Sequence, residues 1–174
     1  MYATDLLKKQ IPIYKDWPKP GVNFIDINGI LVNPFAFNYC IDWLKKIALE
    51  QDVTSIVAIE SRGFIFGSPV ASSLKIPLVL VRKPNKLPGE LKTITYNTEY
   101  STDSLSIQSN APVGKNPIIV DDLLATGGTI LAVKKLLEID KVNAAVIIEL
   151  SFLTGYRLLK DNGISCDSLI QYDE

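Results

Sequence analysis

Histidine is absent from all 174 residues, and cysteine occurs only at Cys40 and Cys166. Without imidazole, Ser-His-Asp and Cys-His triads in their usual form are excluded, as is any zinc site that needs histidine. General acid–base work then falls to Asp, Glu, Lys or Tyr. Two cysteines are too few for a disulfide framework or a four-cysteine metal site, and they read as reduced thiols behaving as small hydrophobes. An excess of charge of one sign is also missing: 18 Lys and Arg face 19 Asp and Glu, which denies the chain the basic footprint of a nucleic-acid binder. No apolar run is long enough for a membrane span, and the opening MYATDLLKKQ is too charged for a signal peptide. The expectation is a cytoplasmic protein with neither a membrane nor a nucleic-acid partner. At 174 residues and 47% hydrophobic content, one domain spanning 1–174 with a substantial core is expected.

What is present is an alternation of short apolar runs and helical patterns. Asn33 can cap a helix whose first turn holds Pro34 and which runs to Gln51. Phe37, Cys40, Ile41, Leu44, Ile47 and Ala48 build one face of it. SIVAIE (55–60), IPLVLV (76–81), NPIIVDD (116–122) and AAVIIELSFL (144–153) read as buried strands, with helices over 63–74 and after Thr129, the latter with Ile130, Val133, Leu136 and Leu137 on its face. TITYNTEY (93–100) and DSLSIQS (103–109) read as a hairpin, and a last short segment ends near Leu169. Segments 16–28 and 84–90, rich in Pro, Gly and Asn, read as loops. Strands buried on both faces and alternating with helices imply an α/β fold: a mostly parallel central sheet flanked by helices. In such sheets ligands bind at the carboxyl ends of the strands.

One strand end carries unusual chemistry. Asp121 and Asp122 close the run at 117–120, and Ala125-Thr126-Gly127-Gly128-Thr129 leads into a helix. The glycines permit close approach and unusual dihedrals. The threonine hydroxyls and the first-turn N–H groups make a nest for a phosphate. Neither GxxxxGK[ST] nor GxGxxG is present, so this is neither a Walker A loop nor a dinucleotide fingerprint. Carboxylates beside an anion site fit a ligand that also brings hydroxyls, such as a ribose phosphate, or a cation such as Mg²⁺. The same letters would also serve an ordinary strand-to-helix turn with a solvated Asp pair.

IVDDLLATGGT (119–129) resembles the phosphoribosyl-diphosphate signature of the purine and pyrimidine phosphoribosyltransferases. PKPGVNFIDINGIL (18–31), IESRGFIFGSPVA (59–71), VRKPNKLPGE (81–90), YNTEY (96–100) and SLIQY (168–172) resemble, in order, blocks of the adenine phosphoribosyltransferase family. The resemblance spans nearly the whole chain. It implies a phosphoribosyltransferase fold with a small N-terminal hood over residues 1–30, a core over 31–174 and a mobile catalytic loop. The implied reaction joins adenine to 5-phospho-α-D-ribose 1-diphosphate, giving AMP and diphosphate with Mg²⁺ bound through diphosphate and ribose. A homodimer is implied as well.

The site residues follow from the same resemblance. Asp121 and Asp122 would hold the ribose, and Ala125, Thr126, Gly127, Gly128 and Thr129 the 5′-phosphate. Ser61, Arg62, Arg82, Lys83 and Lys86 would bind diphosphate, with Arg62 and Lys83 also serving catalysis by neutralising the leaving group. Glu99 would be the acid/base facing purine N7, shielded by Tyr100. Read by hairpin pattern alone, Glu99 is an exposed strand residue. Phe24 and Leu123 would grip the base while the backbone of Asn23 to Ile25 reads its edge. A cis peptide at Glu60–Ser61 is implied too.

Two departures stand out. Ile25 replaces the arginine usual in the family, and Asn28-Gly29 replaces a Thr-Pro or Ser-Pro pair, which should loosen that turn. If position 25 acts through its backbone N–H, adenine recognition survives. Two rival functions remain on these grounds: the same fold acting on a 6-oxopurine, and a phosphoribosyl-diphosphate-sensing regulator that binds nucleic acid.

Overall fold

The computed structural model describes residues 2–97 and 102–173. The chain opens with α1 (Tyr2–Lys8), a two-residue antiparallel pair β1 (Ile13–Tyr14) and β2 (Phe24–Ile25), and the single turn α2 (Asn28–Leu31). It continues through α3 (Pro34–Glu50), β3 (Ser55–Ile59), α4 (Arg62–Leu74) and β4 (Leu78–Val81). The hairpin β5 (Leu91–Asn97) and β6 (Thr102–Gln108) follows, then β7 (Pro117–Leu124) and α5 (Gly128–Leu137). The chain ends with β8 (Val142–Leu150), α6 (Gly155–Asp161) and β9 (Ile164–Tyr172). Five strands form one parallel sheet in the order β4-β3-β7-β8-β9.

The alternation of side chains along each strand accounts for the two helical layers. Ile56, Ile118 and Val120 point to the face covered by Cys40, Ile41 and Leu44 of α3 and Phe66 and Val70 of α4. Val57, Ile59 and Ile119 point the other way, onto Ile130, Val133 and Leu136 of α5 and Leu105 and Ile107 of β6. Both faces are therefore apolar, and every residue of β3 is buried. Burying each large aliphatic side chain is worth roughly 1.5–3 kcal/mol.

Asn33 caps α3 as its sequence implies, its side chain accepting from Phe35 N (3.1 Å) and Ala36 N (3.3 Å). Several boundaries differ from the sequence reading. The strand at β4 alternates half-buried and buried residues because it lies at the sheet edge. The strand carrying the aspartates runs on to Leu124, so Asp121 and Asp122 lie within β7 rather than after it. Where only a short segment near Leu169 was expected, α6 and the nine-residue β9 occur. Seven residues give α6 too few turns for a helical period to show, and Ser165, Asp167, Ser168 and Gln171 dilute the apolar pattern of an edge strand.

The turn at Asn28-Gly29 is tight, not loose. A Cβ on Gly29 would stand 1.5 Å from the carbonyl oxygen of Gln10. Asn28 N donates to Asp26 Oδ1 at 2.9 Å, which fixes the start of α2. Gly29→Ala should therefore destabilise the fold by more than the ~1 kcal/mol expected for the lost cap in Asn33→Ala. Equilibrium urea unfolding of both variants measures this; a Gly29→Ala midpoint equal to that of the parent would remove the Gln10 contact from the account.

Candidate functional site

From β3 the chain crosses to β4 on one side, while β7 pairs with β3 on the other. The crevice where β3 and β7 part is a topological switch point, the usual ligand position in an open parallel sheet. A cleft of about 510 Å³ opens there. Glu60, Ser61 and Arg62 border it from the end of β3, Lys83 from the end of β4, Asp121 and Asp122 from β7, and Thr129 from α5. Tyr96 and Asp103 of the hairpin close its remaining side.

Glycine sets the spacing of this crevice. A Cβ on Gly63 would lie 2.6 Å from the carbonyl oxygen of Val120, so only a bare Cα lets the start of α4 rest on β7. That approach sets Arg62 Nε 3.1 Å from Asp122 Oδ2, an ion pair whose alignment does not make a hydrogen bond. The Asp122 side chain is nearly inaccessible, and the same Arg62 guanidinium lies 6.0 Å from the centroid of the Phe24 ring. Phe24 in turn meets Trp17 edge-on at 4.5 Å.

The carboxylates differ sharply in environment. Desolvation pushes the Asp121 carboxyl well above its ordinary range, reinforced by the neighbouring Asp122 charge. Asp122 also rises through desolvation, opposed by Arg62. For Glu60, burial works against ionisation, but the Lys83 backbone N–H and the Arg82 guanidinium outweigh it and hold its pKa below the usual value. Glu60 Oε2 accepts from Lys83 N at 2.8 Å and from Arg82 Nε at 3.3 Å. Arg82 Nη1 also donates to the Lys86 carbonyl at 3.2 Å. The Glu60–Ser61 peptide is cis, in agreement with the implication of the sequence.

A second hollow of about 90 Å³ adjoins the first and shares Asp121 and Thr129 with it. Leu123, Ala125, Thr126 and Gly127 line it, and Gly128 opens α5 beside it. Gly127, at φ +80°, caps α5 without any side-chain hydrogen bond, which leaves first-turn N–H groups for an anion. Behind it stands Gly155, whose added Cβ would fall 2.2 Å from the Ala125 carbonyl oxygen. Among the described residues, no group of three or more Asp, Glu or Cys side chains is placed to hold a metal ion.

Thus Ser61, Arg62, Lys83, Asp121, Asp122 and Thr129 share the cleft, while Ala125, Thr126 and Gly127 line the adjoining hollow with Leu123. Arg82 and Lys86 do not line the cleft: Arg82 is paired with Glu60, and Lys86 is exposed. Asn23 is exposed, whereas the Ile25 side chain, 7% exposed, is committed to the core. Glu99 and Tyr100 lie outside the described residues. The sequence assigns no role to the Glu60 side chain, nor to Gly63, Tyr96, Asp103 or Gly155. The period of two along the hairpin was the one signal available for Tyr96, whose register partner is Asp103.

The phosphoribosyl transferase domain family matches residues 27–163. An adenine phosphoribosyltransferase of Idiomarina loihiensis is 41% identical over 174 residues, covering 98% of each chain. The crystal structure of adenine phosphoribosyltransferase from Thermoanaerobacter pseudethanolicus superposes with a TM-score of 0.88 at 42% identity, over 97% of this chain and 99% of that one. The Saccharomyces cerevisiae adenine phosphoribosyltransferase, solved with an imino-altritol bisphosphate and adenine, gives 0.85 at 36% identity over 97% and 99%. With the family's domain covering most of its length and such relatives matching it from end to end, the chain belongs to the adenine phosphoribosyltransferase family of the phosphoribosyl transferases.

Proposed function

We propose that this chain transfers the 5-phosphoribosyl group of 5-phospho-α-D-ribose 1-diphosphate to N9 of adenine, giving AMP and diphosphate in purine salvage. The observation that carries this reading is the pairing, at one switch point, of a phosphate-sized hollow with a cleft that holds carboxylates on one wall and cations on the other. A sugar bearing a phosphate at one end and a diphosphate at the other matches that polarity.

In this reading the first-turn N–H groups of α5, with Thr126 and Thr129, hold the 5′-phosphate. Asp121 and Asp122 accept from the ribose hydroxyls, and Ser61, Arg62 and Lys83 hold the diphosphate. Anchoring both ends stretches the sugar across the crevice and presents C1′ to the base. As the C1′–O bond to diphosphate breaks, N9 forms its bond to C1′ through a transition state with oxocarbenium character. Arg62 and Lys83 neutralise the departing charge, while the desolvated carboxylates stabilise the cationic ribose. Arg82 acts indirectly: through Glu60 it holds the segment that carries Ser61 and Arg62.

The purine rests on Phe24, whose ring is held by Trp17 and Arg62. Leu123 forms the other face of the slot, within a hood over residues 1–30, and the backbone of Asn23 to Ile25 reads the ring edge. Burial of the Ile25 side chain supports recognition through its backbone. Glu99, by its place in YNTEY, manages the purine proton at N7, and Tyr100 shields it. Mg²⁺ fits this donor set as a companion of the substrate, held by diphosphate and ribose oxygens beside Asp121 and Asp122. Bound there, the ion would draw charge from the leaving diphosphate. A homodimer completes the reading, and the exposed Phe35 and Tyr39, about one turn apart on α3, offer an apolar face for it. A cytoplasmic setting accords with the composition.

The deciding experiment is an AMP-forming assay with adenine, phosphoribosyl diphosphate and Mg²⁺, run in parallel with hypoxanthine and guanine. A clear preference for hypoxanthine would overturn the adenine assignment. Glu99→Gln should lower kcat about 100-fold or more while weakening adenine binding far less; equal losses in both would leave Glu99 a binding role alone.

Asp121→Asn should separate stability from function. Because folding raises the Asp121 pKa, its ionised form opposes the fold. That stability is fully present below the ordinary carboxylate value of 3.8 and is lost as pH rises through the raised one. The variant should therefore melt higher than the parent near pH 8, match it near about pH 4, and show a raised KM for phosphoribosyl diphosphate. Melting curves across pH that run parallel would disprove the burial penalty.

A further inference from the structure

Thr129 lines both the cleft and the adjoining hollow. The Tyr96 hydroxyl reaches it from β5, donating to Thr129 Oγ1 at 3.3 Å. Tyr96 is half-buried, lines the cleft and stands opposite Asp103 in the hairpin register. On that same rung, Asp103 Oδ2 lies 3.9 Å from Lys83 Nζ. Thus one rung of the hairpin touches a residue of the phosphate wall and a residue of the cationic wall.

A threonine hydroxyl has one proton and two lone pairs. When Tyr96 donates to one lone pair, the proton of Thr129 is left to be given elsewhere. The hollow is where an anionic acceptor would stand. Without the tyrosine O–H, the Thr129 rotor is free, and its proton can turn away from the phosphate at little cost.

We propose that Tyr96 is a positioning residue for the 5′-phosphate, acting through Thr129 by fixing the direction of its hydroxyl proton. The proposal rests on the reading of the hollow as the 5′-phosphate site and adds a group from the hairpin to it. Tyr96 itself need not touch the phosphate.

Calorimetric titration with ribose 5-phosphate and, separately, with diphosphate tests this. Tyr96→Phe should weaken ribose 5-phosphate by about three- to tenfold, the range of one hydrogen bond, with diphosphate affinity nearly unchanged. In steady state, the KM for phosphoribosyl diphosphate should rise and that for adenine should not. Since the effect passes through Thr129, Tyr96→Phe should add nothing further in a Thr129→Val background. In a Thr129→Ser background, which keeps the hydroxyl, it should weaken binding again. Equal weakening of both ligands, an unchanged affinity, or full additivity with Thr129→Val would each overturn the proposal. If the parent protein binds no ribose 5-phosphate, the reading of the hollow fails; if the parent binds it and Tyr96→Phe does so equally well, the positioning role alone fails.

Discussion

The site turns on a guanidinium and an almost inaccessible carboxylate held 3.1 Å apart where β3 and β7 diverge. Asp122 carries a charge that burial opposes, and Arg62 is the cation that opposes the burial. Such a pair is a weak source of net stability, yet removing Arg62 leaves Asp122 buried without its cation, whereas the Arg62 side chain, 39% exposed, keeps its water when Asp122 is removed. Its geometry depends on Gly63, because any Cβ there would push α4 off the Val120 carbonyl. The aromatic wall of Phe24 depends on it in turn, through the face that Arg62 covers. One short contact thereby links the first turn of α4, the acidic strand and the N-terminal segment.

A second support of the same kind lies behind the loop that opens α5. Gly127 and Gly155 face each other closely, and neither position tolerates a side chain without moving backbone. The loop at 125–127 is thus held from behind by the start of α6, while Tyr96 meets Thr129 from the front. On the cationic side, Glu60 ties Arg82 and the Lys83 backbone to the turn that follows β3. Both walls of the cleft are fixed by groups that need not contact a ligand, which is the arrangement preorganised electrostatics requires.

Much of this was legible in the residues, for identifiable reasons. Asn33, Pro34 and the apolar stripe to Ala48 specify α3 locally, and the structure keeps the cap, the helix and the buried face. The Gly127-Gly128 pair and its threonines announce a strand-to-helix loop because backbone freedom and N–H groups are local properties. What could not be read depends on pairs distant in the chain. Gly29 is tight because of Gln10, Gly63 because of Val120, and Gly155 because of Ala125. Arg82 reads like its neighbours Lys83 and Lys86 in sequence, yet Glu60, 22 residues away, claims it. The full length of β9 did not show in the sequence because half-exposure at this sheet edge admits polar residues that break the apolar run.

The absence of histidine acquires a positive meaning at this point. A chain without imidazole has no side chain that titrates near neutrality unperturbed. The fold moves most of the described groups it perturbs still farther from that range. Burial pushes both Cys40 and Cys166 up to about 12 and raises Tyr96 and Tyr172, while the Lys83 N–H and the Arg82 guanidinium hold Glu60 below its ordinary value against its burial. Asp121 and Asp122 alone, among the described groups it shifts, move toward neutrality. They are also the pair that faces the cleft. Desolvation that makes these carboxylates costly to ionise also makes their negative charge most effective on a developing cation, since few water dipoles remain to screen it. Desolvation of this acidic pair at the switch point is therefore an electrostatic cost to the fold and, in the proposed reaction, the means of stabilising an electron-poor ribose.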